Sequence, residues 1–292
     1  MIEQILTNGL IAGLLLGLVA IGFSIVYSAA RFFHVAHAAM YLAGAYTGIW
    51  LSNNTKTPGF VAVLGAIVAA VTLGLLIELS VYRPLRKVGA SSLVLFLSSL
   101  TVLLIVQNAI GLIVGSEIQT VQSRIGQDTL QILGSTITSW QAISSGVTVL
   151  LFLIIWLLLR FTLTGKKMRA VSSDPDLAEV VGISRDNVLL IVIVLGSSLA
   201  GIAGFLVGYD TAVTPSSGLG VLLIAVTAAI VGGIGSIPGA MFGGLLVGVA
   251  QHIGVWRLPA QWQDAIVFGI LILFLILRPQ GFFGRPIWRT AV

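Results

Sequence analysis

Apolar residues run through this chain in long stretches, and polar residues fall in the short breaks between them. A bilayer span takes about 17–25 predominantly apolar residues. Span candidates are Gly9–Ala30, Phe32–Leu51, Phe60–Tyr82, Ser91–Val114, Ala142–Phe161, Val188–Gly208, Gly220–Gly233, Pro238–Ile253 and Trp262–Leu277. The pattern predicts an all-α polytopic membrane protein of about nine transmembrane helices, within bounds of eight and ten. Arg31 and His34 interrupt the first pair, so the second span is expected to bend or to be partly re-entrant. Gly220–Ile253 reads as one long tilted helix or as two short spans parted at Gly232–Gly239, where Gly and Pro disfavour a continuous helix.

Loop charge chooses between those two. If the basic stretch Lys166–Arg185 is cytoplasmic, alternation puts Arg31, Arg83, Arg86 and Lys87 on the same side. With two spans in Gly220–Ile253, Arg160, Arg278, Arg285 and Arg289 join them, and only Lys56, Arg124 and Arg257 remain outside. The positive-inside rule therefore favours nine crossings, with the N-terminus outside and the C-terminus cytoplasmic. A shift of 182 positions lays Gly22, Phe23 and Tyr27 on Gly204, Phe205 and Tyr209. In this topology the two copies run in opposite directions, so an inverted repeat is expected, one copy over about 9–114 and the other over about 188–277. The organisation is then a single integral membrane domain, 1–292. It has a cytoplasmic loop at 162–187 and an external loop at 115–141, where Thr129–Ile132 and Ser135–Ile137 suit a small hairpin around Gly134.

Composition agrees. The 292 residues are 57% hydrophobic and 9% charged, with a mean hydropathy of +1.08. Soluble domains carry roughly 25% charged residues. Met1–Asn8 carries Glu3 where a secretory peptide has a basic segment, so the first span is expected to be retained. With no cysteine, disulfides and thiolate metal sites are excluded. The +5 charge fits basic residues gathered on the cytoplasmic side, and no nucleic-acid recognition motif accompanies it.

Three features carry candidate chemistry. Small residues recur at four-residue spacing: Gly9, Gly13, Gly17; Gly196, Ala200, Gly204, Gly208; and Ala240, Gly244, Gly248. In lipid, such faces let helix backbones approach closely, and a transporter can also slide along them. The second feature is Lys166–Arg185. Asp174 suits an N-cap, Pro175 the first helical position, and Asp176 and Glu179 the positive end of the helix dipole. Ala178 lies mid-helix and Gly182 suits the position after the C-cap. This predicts one short helix, about Pro175–Val181, with Leu177, Val180 and Val181 on one face. So short a helix is unstable alone, so that face packs on a partner protein or on the chain's own cytoplasmic ends. The third feature is a set of polar and aromatic residues within the spans. Tyr27, His34, His37, Tyr41, Tyr46 and Thr227 are candidates for a translocation path. Glu78 is expected to pair with Arg83, and Asp264 with Arg257.

There is no P-loop, no G-x-S-x-G, no H-E-x-x-H and no paired-carboxylate cluster. The chain is not expected to be an enzyme or to carry a cofactor or metal. Uphill transport would need its energy from another subunit.

The runs RAVSSDPDLAEVVGIS, LGSSLAGIAGFLVG and VGGIGSIPGAMFGGLLVG, with GLLLGLVAIGFSIVYS at the start and LRPQGFFGRP at the end, resemble the branched-chain amino acid ABC-transporter permeases of the LivH kind. That group also has relatives importing urea, short amides and sugars. The resemblance implies a second homologous permease subunit, two cytoplasmic ATP-binding subunits and an extracytoplasmic substrate-binding protein, in a bacterial or archaeal plasma membrane. It implies that Asp174–Gly182 is the coupling helix seated on an ATPase. Where the family shows N-F-A-H-G-E, this chain has His34-Val35-Ala36-His37-Ala38-Ala39, so its substrate choice is open at that corner. A permease for another small polar solute, or a passive pore acting alone, is the alternative.

Overall fold

The computed structural model describes residues 1–55, 59–121, 128–132 and 134–284. Lys56, Arg124, Arg285 and Arg289, which enter the charge argument, lie outside the described residues.

In chain order the helices are α1 (Ile2–Ala30), α2 (His37–Asn54), α3 (Gly59–Ile77), α4 (Arg83–Lys87), α5 (Ser92–Val114), α6 (Ser139–Phe161), α7 (Leu163–Ser173), α8 (Pro175–Val180), α9 (Arg185–Asp210), α10 (Ser217–Gly232), α11 (Ile237–Arg257) and α12 (Gln263–Leu277). A π-helical turn, Glu78–Tyr82, joins α3 to α4 without a break. Each apolar stretch of the sequence thus holds a helix. Seven helices among the described residues are long and apolar enough to cross a membrane: α1, α3 through α4, α5, α6, α9, α11 and α12 with the turn before it. α2, at 18 residues long enough but less apolar, and the shorter α10 are not among them.

The chain leaves α1 through Arg31, whose φ of 57° is the one positive value at a non-glycine residue among those described. Phe32–Ala36 then turns back into the bundle. Val35 N–H donates to Ser99 Oγ at 3.1 Å, and Ser99 lies two turns inside α5. So α2 starts inside the bundle, not at its rim. There it meets the start of α10: a Cβ added at Gly218 would lie 3.2 Å from the Ala38 carbonyl.

Helix packing runs through small residues. Along α1 and α11, a Cβ on Gly9 would meet Val249 Cα, and one on Gly13 would meet Leu245 Cα at 2.7 Å. From the other side, Gly244 and Gly248 close on the backbone of Gly17 and Gly13. α9 crosses α1 where Gly196 faces Val26 and the Gly22 carbonyl. It crosses α2 where Gly204 abuts the Tyr41 carbonyl, and Gly208 lies near Ile49 and Val213. Ala200 is fully buried. Lipid offers no hydrophobic drive between helices, so this close approach supplies van der Waals attraction.

Outside the helices, β1 (Thr129–Ile132) and β2 (Ser135–Thr138) form an antiparallel hairpin, with Thr129 opposite Thr138. Its turn glycine, Gly134, has φ +79°. Gln4 of α1 holds the hairpin by donating to the Thr136 carbonyl at 2.8 Å and accepting from its N–H at 2.7 Å.

Candidate coupling site and pathway residues

The stretch from Thr162 to Arg185 holds two helices, where the sequence pattern predicted one. Thr162 Oγ1 accepts from Gly165 N–H at 3.2 Å and starts α7, which buries Met168 and Val171. In the sequence the run resembles a loop because its exposed positions are mostly basic and small. The Thr162 cap was the available signal. α8 follows at once. Asp174 Oδ1 accepts from the N–H groups of Asp176 and Leu177, both at 3.0 Å, satisfying two donors that a helix start leaves orphaned. At the other end, Ile183 N–H reaches the Ala178 carbonyl and Gly182 N–H reaches that of Glu179. With Gly182 at φ +82° this is a Schellman close. The helix ends at Val180, one residue before its predicted limit, with Val181 as C-cap.

This capping sets which side chains face out. Ala178 is buried against the body of the protein. Leu177, Val180 and Val181 are 61%, 83% and 67% exposed, so the described residues leave them uncovered. Asp174, Asp176 and Glu179 are exposed beside them. Covering one such apolar side chain fully is worth roughly 1.5–3 kcal/mol.

Two attachments hold α7 and α8 to the bundle. Arg31, at the end of α1, donates through Nη2 to the carbonyls of Ser172 (3.0 Å) and Ser173 (2.7 Å), just before α8. Asp186, in the first turn of α9, pairs with Arg83 at 3.0 Å and with Arg86 at 3.6 Å. Arg86 also pairs with Glu78, whose carboxylate is buried. Glu78 therefore pairs with Arg86 and not with Arg83, which pairs with Asp186 of α9. Asp264 and Arg257 form no ion pair among the described residues, and the Arg257 guanidinium lies over the Trp256 ring, 4.5 Å from its centre. Asp186 was not anticipated in this role. An acid in the first turn of a helix is expected from the dipole alone, so its sequence position does not announce a tertiary partner.

One turn deeper, Tyr82 OH and His34 Nδ1 are 3.1 Å apart in a hydrogen bond. The rings of His34, His37, Phe23 and Phe32 pack edge to face around it. His37 sits at the α1–α9 crossing, 3.0 Å from where a Gly22 Cβ would be. Of the six pathway candidates, Tyr27 lines a cavity at this end of the bundle. His34, His37, Tyr41, Tyr46 and Thr227 are buried between helices. His34 and His37 gather at one place, and no group of three or more potential metal ligands occurs among the described residues.

A protein family described as branched-chain amino acid transport system, permease component, matches residues 5–275. The high-affinity branched-chain amino acid transport system permease protein LivH of Salmonella typhimurium is 33% identical, over 97% of this chain and 96% of that one. The corresponding BraD protein of Pseudomonas aeruginosa is 33% identical over the same shares. Among solved structures, PsaBC from Streptococcus pneumoniae in complex with Fab superposes with a TM-score of 0.52 at 16% identity, covering 95% of this chain and 93% of that one, and so shares the fold. Matched over nearly its whole length, the chain belongs to the family of permease components of branched-chain amino acid transport systems.

Proposed function

We propose that this protein is the membrane-embedded permease subunit of an ATP-driven importer for branched-chain amino acids, working by alternating access. The observation that carries the reading is α8: a two-turn helix capped at both ends, presenting three uncovered apolar side chains ringed by acids. The family match supplies the chemistry of the transport system. An ATPase on a separate chain seats on the Leu177, Val180 and Val181 face. A second homologous permease completes the membrane core, and an extracytoplasmic binding protein delivers the amino acid.

In this reading the chain crosses the plasma membrane nine times, N-terminus out and C-terminus in, counting α2 and α10 as crossings. Two copies of one motif face in opposite directions. Exchange of α1 with α9, α2 with α10, α3 with α11 and α5 with α12 supports this. Under it, the α1–α11 packing corresponds to α9–α3, α1–α10 to α9–α2, α2–α3 to α10–α11, and α2–α5 to α10–α12, and each of these pairs is in contact. A push on α8 passes straight into α9, and through Asp186 to Arg83, Arg86 and the π turn beside Tyr82 and His34. Because packing encloses five of the six pathway candidates, they meet substrate only when the helices part, as alternating access requires.

The test is reconstitution in proteoliposomes. Uptake of leucine is expected only with ATPase subunits, binding protein and ATP all present, and steady flux through this chain alone would sink the proposal in favour of a pore. Reversing Asp174, Asp176 and Glu179 to lysine should abolish copurification of the ATPase while membrane insertion persists. Undiminished copurification would remove α8 from the docking role.

A further inference from the structure

A cavity of about 920 Å³ opens where the end of α1, the elbow between α6 and α7, and the turn before α11 come together. Arg31, Arg160 and Arg169 line it, and no Asp or Glu among the described residues does. None of the three forms an ion pair among the described residues. Their partners are neutral: Arg31 bonds the carbonyls of Ser172 and Ser173, and Arg169 bonds that of Leu159. Arg160 lies over the rings of Trp156 and Phe161, 5.3 and 5.7 Å from their centres. Three positive charges thus border one space with no carboxylate to balance them. The amino-terminal end of α11 also faces it and adds the positive end of its dipole.

The rest of the wall mixes apolar side chains, including Ile25, Met168 and Phe283, with the hydroxyls of serines such as Ser24, Ser28 and Ser236. The cavity is also deep. Ser24 and Ile25 lie about two turns above Arg31, so it extends about 10 Å along α1 from the basic end. No residue of α8 takes part in the lining, which separates this space from the exposed apolar face. An acidic surface on a soluble partner would meet the arginines but would not reach the inner end of the cavity at Ile25. A ligand with an anionic head and a hydrocarbon tail satisfies both. Basic pockets between helices on the cytoplasmic side of a membrane suit such head groups.

We propose that this cavity binds the phosphodiester head group of an anionic membrane phospholipid, with its acyl chains leaving past Trp156 along α6. The α6 surface there exposes Leu153 and Leu157, as a lipid-facing helix does. The proposal rests on the membrane-spanning reading and does not depend on the identity of the transported solute.

Native mass spectrometry of the full chain, released from a neutral detergent, tests it. With equal amounts of phosphatidylglycerol and phosphatidylcholine supplied, preferential retention of phosphatidylglycerol is expected. Arg31→Gln, Arg160→Gln and Arg169→Gln should each weaken retention about fivefold, and the triple variant roughly a hundredfold. Lys87→Gln, which removes a cation outside the cavity, should leave retention unchanged. Equal retention of the two lipids overturns the proposal, as does wild-type retention by the triple variant. If the triple variant does not fold, the three single variants decide by the same criterion. Displacement of the lipid by excess inorganic phosphate assigns the site to a soluble anion and overturns the lipid. Occlusion of the arginines only on adding the ATPase, with no lipid retained, overturns it in favour of a protein partner. Loss of transport with lipid retention intact would count against the proposed function and leave this site standing.

Discussion

Helices α1 and α6 are equally apolar, yet 78% of the spanning window of α1 is buried and only 17% of that of α6. In water such a difference would follow from hydrophobicity. In lipid it cannot, since hydrocarbon surrounds both, and close backbone packing takes its place. α1 carries Gly9, Gly13, Gly17 and Gly22, each with a neighbouring helix within contact of where a Cβ would stand. α6 carries Gly146, where an added Cβ would meet nothing within 4 Å. Glycines at the helix contacts, and not apolar character by itself, distinguish the buried α1 from the exposed α6.

That contrast can be broken in four ways. The largest effect is expected at the end of α3, where a helix with only 28% of its spanning window buried leads into a buried ion pair. Arg86→Met leaves the Glu78 carboxylate buried without its partner, at a cost of about 3–5 kcal/mol. Its thermal unfolding in detergent should fall well below that of wild type, and Arg86→Met with Glu78→Leu should recover much of the loss. Next come the seams. Gly13→Leu and Gly204→Leu force side chains into the backbones of α11 and α2, costing about 1–3 kcal/mol or more. Gly146→Leu on α6 is expected to be neutral. Equal losses at Gly146 and Gly13 by size-exclusion and melting assays would show that the seams do not hold the bundle.

A third change separates assembly from folding. Leu177→Asp with Val180→Asp adds charge only where side chains are exposed, so the melting temperature should hold while ATPase binding drops at least tenfold in a pull-down titration. A fall in melting temperature with binding intact would mean the chain itself covers this face. The smallest effect is local. Asp174→Ala removes the α8 cap and should cost about 1 kcal/mol of helix stability, read as faster amide exchange at Asp176 and Leu177 with the rest of the protein unchanged.

Much of this architecture is written in local pattern. Apolar length places the helices, Asp174, Pro175 and Gly182 delimit α8, and alternation around Gly134 places the hairpin. What local pattern does not carry is partnership across the chain. Met168 and Val171 look like minor members of a basic loop until the body they pack on is present, so α7 escaped. Glu78 has basic residues five and eight positions on, and spacing favours the nearer. The fold reverses that choice, because Arg83 pairs with Asp186, which lies 103 positions further along. His34 and Tyr41 look like polar residues awaiting a substrate, but their burial depends on how helices distant in sequence converge, and no window of sequence holds that.

The π turn at Glu78–Tyr82 also bears on chain length. A π-helical turn accommodates one residue more than the α-helical turn it replaces. Deleting a single residue there would restore regular α-helix without breaking α3. Because the extra residue is taken up within one turn, the helix beyond it would keep its facing, with Arg83 and Arg86 still toward Asp186. The same deletion inside the regular part of α3 would turn everything beyond it by about 100° about the helix axis and swing both arginines away. The π turn is thus the one place along this helix where a change of residue number is expected to be absorbed.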